Sequence, residues 1–198
     1  TDYYTDEAIK VIEANRNRPF FLYLAHWGIH NPLQATREDY DAFPHIEDHT
    51  LRVYAGMIRA LDRSVGRIRQ ALADNGLSDN TLIVFTSDNG GAGYIGLPHI
   101  NKPYRGWKLN HFEGGIHVPY MAKWPAQIRA GSAISAPIHH VDLFHTFAAA
   151  AGAQRHRSSW PGTRRCNSAP GGRVHRCAGP PSACLCRKAP RCSRRRPC

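Results

Sequence analysis

The chain has 198 residues, a length for about one domain, and a formal net charge of +11. That charge is unevenly held: after Ala153 there are 12 Lys+Arg, no Asp or Glu, and all six cysteines, so the first 153 residues carry 14 basic against 15 acidic groups. The basic balance is therefore no nucleic-acid signature of the first part, and a core without cysteine relies on no disulfide. No apolar run of 18 residues exists, so no transmembrane helix is expected and no membrane partner is implied.

Thr5–Asn15 reads as a helix, with Thr5 as its cap, Asp6 and Glu7 at its positive end, and Ala8, Val11 and Ile12 as an apolar stripe. Pro19–Leu24 (PFFLYL) is an apolar run that reads as a buried strand. Two or three strands make no stable doubly wound sheet, so more chain is expected upstream. After this strand comes His26-Trp27-Gly28-Ile29-His30-Asn31-Pro32. An unassigned histidine here reads first as a loop histidine bonded to backbone, and His26 keeps that reading; His30, after the strand and beside the Pro32 turn, becomes a site histidine through the resemblance described below.

Leu33–His49 is polar and irregular. A metal cluster of His45, Asp48 and His49 is conceivable there, with a solvated loop as the preferred reading. Thr50–Asn75 reads as the longest helix. Tyr54, Met57, Ile58, Leu61, Val65, Ile68 and Leu72 recur at spacings of three and four, and Gly76 is a left-handed cap. Arg59, Arg63, Arg67 and Arg69 are read as a solvated face, with Asp62 available as partner.

Thr81–Thr86 (TLIVFT) reads as a buried parallel strand that stops at Ser87-Asp88-Asn89-Gly90-Gly91. Open α/β sheets hold ligands beyond the carboxyl ends of their strands. Asp88 and Asn89 stand at such an end and offer hard oxygens suited to Ca²⁺ or Mg²⁺. The Gly90–Pro103 loop is long enough to touch substrate. His99, Lys102, His111 and His117 are weaker substrate candidates, and Glu113 is assigned to holding the second glycine turn. Val118–Trp124 reads as a further strand. His139 and His140 read as structural, ahead of a short Leu143–Ala151 helix capped by Asp142.

Four stretches together, SDNGG, YRGWK, FEGGIHVPYMAKWPA and PFFLYLAHWGIHNP, resemble type I sulfatases, the formylglycine-dependent sulfate-ester hydrolases of the alkaline-phosphatase superfamily. The resemblance covers about residues 2–153 and matches the second half of that family's catalytic domain. It implies an α/β sandwich, a mostly parallel sheet flanked by helices, seen in part. It implies Ca²⁺ held by Asp88 and Asn89, Lys108 on the sulfate and leaving oxygen, and His30 as a proton donor to the leaving group. It implies an aryl or carbohydrate sulfate as substrate and a periplasmic or secreted setting.

The resemblance also marks what this sequence lacks. The family's nucleophile is made from a cysteine in C-x-P-S-R or C-x-P-x-R, and no cysteine here stands in that motif. The chain by itself is therefore expected to be inactive. A phosphate or phosphonate monoester hydrolase of the same superfamily is the alternative enzyme, and an inactive truncated product the non-enzyme alternative. Residues 154–198 are expected to be a disordered Arg/Pro/Cys tail, read as out-of-frame translation. Nucleic-acid binding through that tail is the lesser reading.

Overall fold

The computed structural model describes residues 1–153. The expectations for the 154–198 tail lie outside the described residues.

Three helices form the packed part: α1 (Asp2–Ala14), α2 (Arg37–Asp41) and α3 (His49–Asp74). Both α1 and α2 pack on α3. Helix α1 begins earlier than expected, and Thr5 is not its cap but a fully buried residue within it. The Asp48 side chain caps α3 by accepting from Leu51 N at 2.7 Å, satisfying one otherwise orphaned N–H. At its other end Gly76 takes φ 70°. There Leu77 N donates to Leu72 O at 2.8 Å and Gly76 N to Ala73 O at 2.9 Å. These two bonds are the paired closure that a left-handed glycine permits.

The buried face of α3 differs from the stripe of large apolar residues. Tyr54, Met57 and Leu72 are buried as expected, but Ile58 is 46% exposed. Ala60, Ser64 and Ala71 are buried instead. Small residues let α1 and α2 lie close to α3, and close packing takes precedence over side-chain size. Where a Cβ on Gly56 would stand, the Asp39 backbone is 3.2 Å away.

Of the four arginines assigned to a solvated face of α3, Arg69 is exposed as expected, but Arg59, Arg63 and Arg67 are not such a face paired with Asp62. Arg59 and Arg63 bind Asp39 of α2, Arg63 binds Asp2 of α1, and Arg67 binds Asp6 of α1. Acidic residues distant in sequence outcompete the neighbour on the same helix because the three helices are packed together.

The described sheet has two strands, β1 (Ile83–Thr86) and β2 (Tyr120–Lys123). They pair antiparallel, with Ile83 opposite Lys123 and Thr86 opposite Tyr120. The expected parallel, fully buried strand at Thr81–Thr86 is thus shorter, antiparallel and half-buried. Pro19–Leu24 is not a hydrogen-bonded strand and does not lie beside β1 in a ladder. It still alternates: Phe21 and Tyr23 are 71% and 81% exposed, while Phe20, Leu22 and Leu24 are partly covered. This two-residue period is strand-like, but among the described residues no backbone partners it. Beyond β1 come a 3₁₀ turn at Gly93–Ile95, the one-turn helix α4 (Glu113–Ile116) and helix α5 (Val141–Ala150). Among the described residues no helix is long and apolar enough to cross a membrane.

Candidate active site

The chain leaves β1 at Thr86 and enters the turn that carries Asp88 and Asn89. The next two glycines are tied down on both sides. Gly90 N donates to Gly115 O at 2.9 Å, and Lys108 N donates to Gly91 O at 3.2 Å. Asn101 grips Gly91 twice, accepting from its N–H and donating to its carbonyl, both at 2.8 Å. A methyl at Gly90 would run into the carbonyl of Gly114, so the two glycine turns are interlocked backbone to backbone. This explains why glycines recur in both segments. Nothing in the sequence marked Asn101 as the clasp between them.

The interlock delivers Lys108 to His30. Lys108 Nζ stands 3.1 Å from His30 Nε2, across 78 residues of sequence. An ammonium only donates, so Nε2 is the acceptor. His30 Nδ1 stands 2.9 Å from the carbonyl of its neighbour Asn31, which only accepts. The two contacts assign His30 as the neutral Nδ1–H tautomer. The His30 backbone N also donates to Trp27 O at 3.3 Å, closing the turn on which the imidazole is carried.

Asp88 is exposed at the end of β1. Asn89 donates its amide N to Gly90 O at 3.1 Å, which leaves its amide oxygen as the group available to a cation. One carboxylate and one amide oxygen fit a hard cation such as Ca²⁺, but only as part of a shell. Among the described residues no three His, Cys, Asp or Glu gather as a metal cluster. The conceivable His45, Asp48 and His49 site is absent accordingly: Asp48 caps α3, and His49 Nδ1 stands 3.1 Å from the Tyr40 hydroxyl.

Four other histidines make contacts within the chain. His117 Nδ1 meets Glu113 Oε2 at 2.9 Å and its ring stacks on Tyr104 at 4.4 Å. Glu113 therefore holds His117, while backbone bonds hold the glycine turn it was expected to secure. His140 Nε2 donates to the Ser87 carbonyl at 2.9 Å, pinning α5 to the residue before Asp88. Asp142 is not the cap of α5 but lies in its first turn, where it accepts from His139 N at 2.9 Å; the N-cap is His140, with no side-chain capping bond, because the helix starts two residues earlier than expected. His26 lies elsewhere, bonded to Ser64 at 2.9 Å.

A family model for sulfatases matches residues 1–153. The chain belongs to the sulfatase family. It is 36% identical to human steryl-sulfatase over 159 residues, covering 77% of this chain and 26% of that protein. It is 38% identical to mouse N-acetylgalactosamine-6-sulfatase over 158 residues, covering 77% of this chain and 29% of that one. The solved structure of Ps i-CgsB in complex with k-i-k-neocarrahexaose is 44% identical, with a TM-score of 0.74. That match covers 77% of this chain and 34% of the other. The chain thus spans between a quarter and a third of the length of these relatives. The likeness places its helices and short sheet in the α/β fold of the sulfatases.

Proposed function

We propose that this chain supplies the oxyanion-facing half of a site that hydrolyses sulfate esters, with a sugar-borne sulfate as the substrate class. The observation that carries the reading is the Lys108–His30 contact, held at the end of β1 by the bond from Lys108 N to Gly91 O. Lys108 offers a full positive charge to the oxygens of a bound sulfate. Such charge-assisted contacts are among the strongest a protein makes to an oxyanion. His30 presents the Nε2 lone pair toward the ammonium, so the proton between the two nitrogens is donated by Lys108. A leaving oxygen that displaces one partner can draw that proton. The likeness to a structure solved with k-i-k-neocarrahexaose and to N-acetylgalactosamine-6-sulfatase supports a carbohydrate sulfate.

Asp88 and Asn89 would contribute two oxygens to Ca²⁺, which would supply further positive charge at the sulfate. Formylglycine does not fit this sequence, because no cysteine stands in its precursor motif. No step is assigned through that group, and the 198-residue polypeptide is proposed to be inactive by itself. We also assign the folded sulfatase part to residues 1–153 and the Arg/Pro/Cys tail to 154–198. Limited proteolysis that leaves a resistant core ending near Ala153 supports this boundary, and uniform digestion contradicts it.

The site is tested by side-chain ¹⁵N spectra of this chain during titration with inorganic sulfate. His30 Nε2 is expected to shift, and Lys108→Ala to abolish the shift. Inorganic phosphate producing the larger shift would favour a phosphate monoester. No response at His30 to either anion would overturn the reading.

A further inference from the structure

Four residues before His30, His26 occupies a polar contact chain that the site does not use. His26 Nε2 lies 2.9 Å from Ser64 Oγ, and Ser64 Oγ lies 2.7 Å from Thr5 Oγ1. Thr5 Oγ1 lies 3.0 Å from the Thr1 carbonyl. Ser64 and Thr5 are completely buried. Each hydroxyl has one proton, so the chain of contacts has a direction. The Thr1 carbonyl only accepts, and it already receives Thr5 N at 3.1 Å. Thr5 Oγ1 can therefore give its one proton to that carbonyl or to Ser64 Oγ. In the first arrangement Ser64 donates to Thr5 and His26 donates to Ser64 from Nε2; in the second Ser64 donates to His26 Nε2 and Nδ1 carries the ring proton.

The other ring nitrogen selects the first arrangement. His26 Nδ1 is buried and has no hydrogen-bond partner. A bare lone pair left there is cheaper than an N–H with nowhere to donate. Burial also holds the imidazole below its ordinary pKa, which favours its neutral form. The Tyr4 ring stands edge-on to it at 6.4 Å.

We propose that His26 is a positioning residue for the site: as a neutral Nε2–H imidazole it pins the turn carrying His30 to helices α1 and α3. Ser64 belongs to α3 and Thr5 to α1, while the turn from Trp27 to His30 begins at the next residue. The Pro19–Leu24 segment before it has no ladder to hold it among the described residues. The side-chain bond of His26 therefore provides the registration that a strand ladder otherwise gives. The two histidines should accordingly be opposite tautomers, His26 Nε2–H and His30 Nδ1–H. The positioning role rests on His30 being the site histidine; the tautomer of His26 does not.

The test is long-range ¹H–¹⁵N spectroscopy of both rings in the full chain, followed by variants. The expected spectrum has a protonated Nε2 and a bare Nδ1 on His26. His26→Phe and Ser64→Ala should each broaden the His30 ring signals and weaken sulfate binding by about tenfold. His26→Gln, whose amide N–H replaces Nε2–H, should restore both. Ser64→Ala keeps the proposal testable if His26→Phe does not fold. An Nδ1–H tautomer at His26, or His30 signals unaltered in Ser64→Ala, overturns it. If the wild-type His30 ignores sulfate while its ring still broadens in the variants, positioning stands and the proposed site falls.

Discussion

Asp39 sits in a helix of five residues, is 1% exposed, and receives Arg63 Nη1 from α3 at 2.6 Å. Arg59 binds the same carboxylate, and Thr36 Oγ1 donates to it at 2.8 Å. The bond from Arg63, with those from Thr36 and Arg59, holds the Asp39 pKa down at about 2 against burial. Its partner's pKa is raised, first by the bond to Asp39 and then by that to Asp2.

A folded pKa below the unfolded value of 3.8 contributes stability that is complete above the unfolded pKa. That contribution, on the order of 2 kcal/mol, is lost as pH falls from about 4 through about 2. Asp39→Asn should lower stability by about 2 kcal/mol at pH 7, or about 4–8 °C in Tm. The deficit should disappear near pH 2. Urea unfolding of both proteins across this range checks the sign; a deficit constant down to pH 2 would contradict it.

Lys108 and His30 should each matter to turnover only where a nucleophile is present. The isolated chain should hydrolyse a chromogenic aryl sulfate with calcium at background rate, because charge stabilisation does not replace a covalent nucleophile. In a full-length sulfatase carrying this segment, Lys108→Ala and His30→Ala should each lower kcat by roughly 10²–10³. Turnover by the isolated chain that Lys108→Ala removes would mean another residue here attacks the ester.

Calcium binding by this chain should be weak, with Kd on the order of 10⁻³ M or higher, because Ca²⁺ takes about six to eight oxygens. Asp88 and Asn89 offer two side chains toward that shell. Calorimetry is the direct measurement, and tight binding that Asp88→Ala abolishes would show a more complete shell than proposed.

Gly90→Ala should separate the two glycine turns. Its methyl meets backbone of Gly114, which cannot rotate away as a side chain would. A cost of about 1–3 kcal/mol is expected from overpacking. Hydrogen exchange at Lys108 N, which donates to Gly91 O, should accelerate. Unchanged protection at that amide would mean the loops hold together without the interlock.

Local signals in the sequence were sufficient for several elements. The α3 helix and its Gly76 closure follow from helical periodicity and from a residue free to take positive φ. The end of β1 at Thr86 follows from an apolar run meeting Ser-Asp-Asn-Gly-Gly, and the residues around His30, Asp88 and Lys108 carried the family resemblance. What those signals could not supply is partnership between distant residues. Strand direction depends on which strand lies alongside, and β1 found β2 antiparallel while Pro19–Leu24 stayed unpaired among the described residues. The arginines of α3 paired with Asp2, Asp6 and Asp39 because packing brought α1 and α2 against them. Thr5 read as a cap, and burial against Ser64 made the two residues the anchor for His26. Likewise His30 and Lys108 were separate suggestions in the sequence, and only the tertiary structure set their nitrogens 3.1 Å apart.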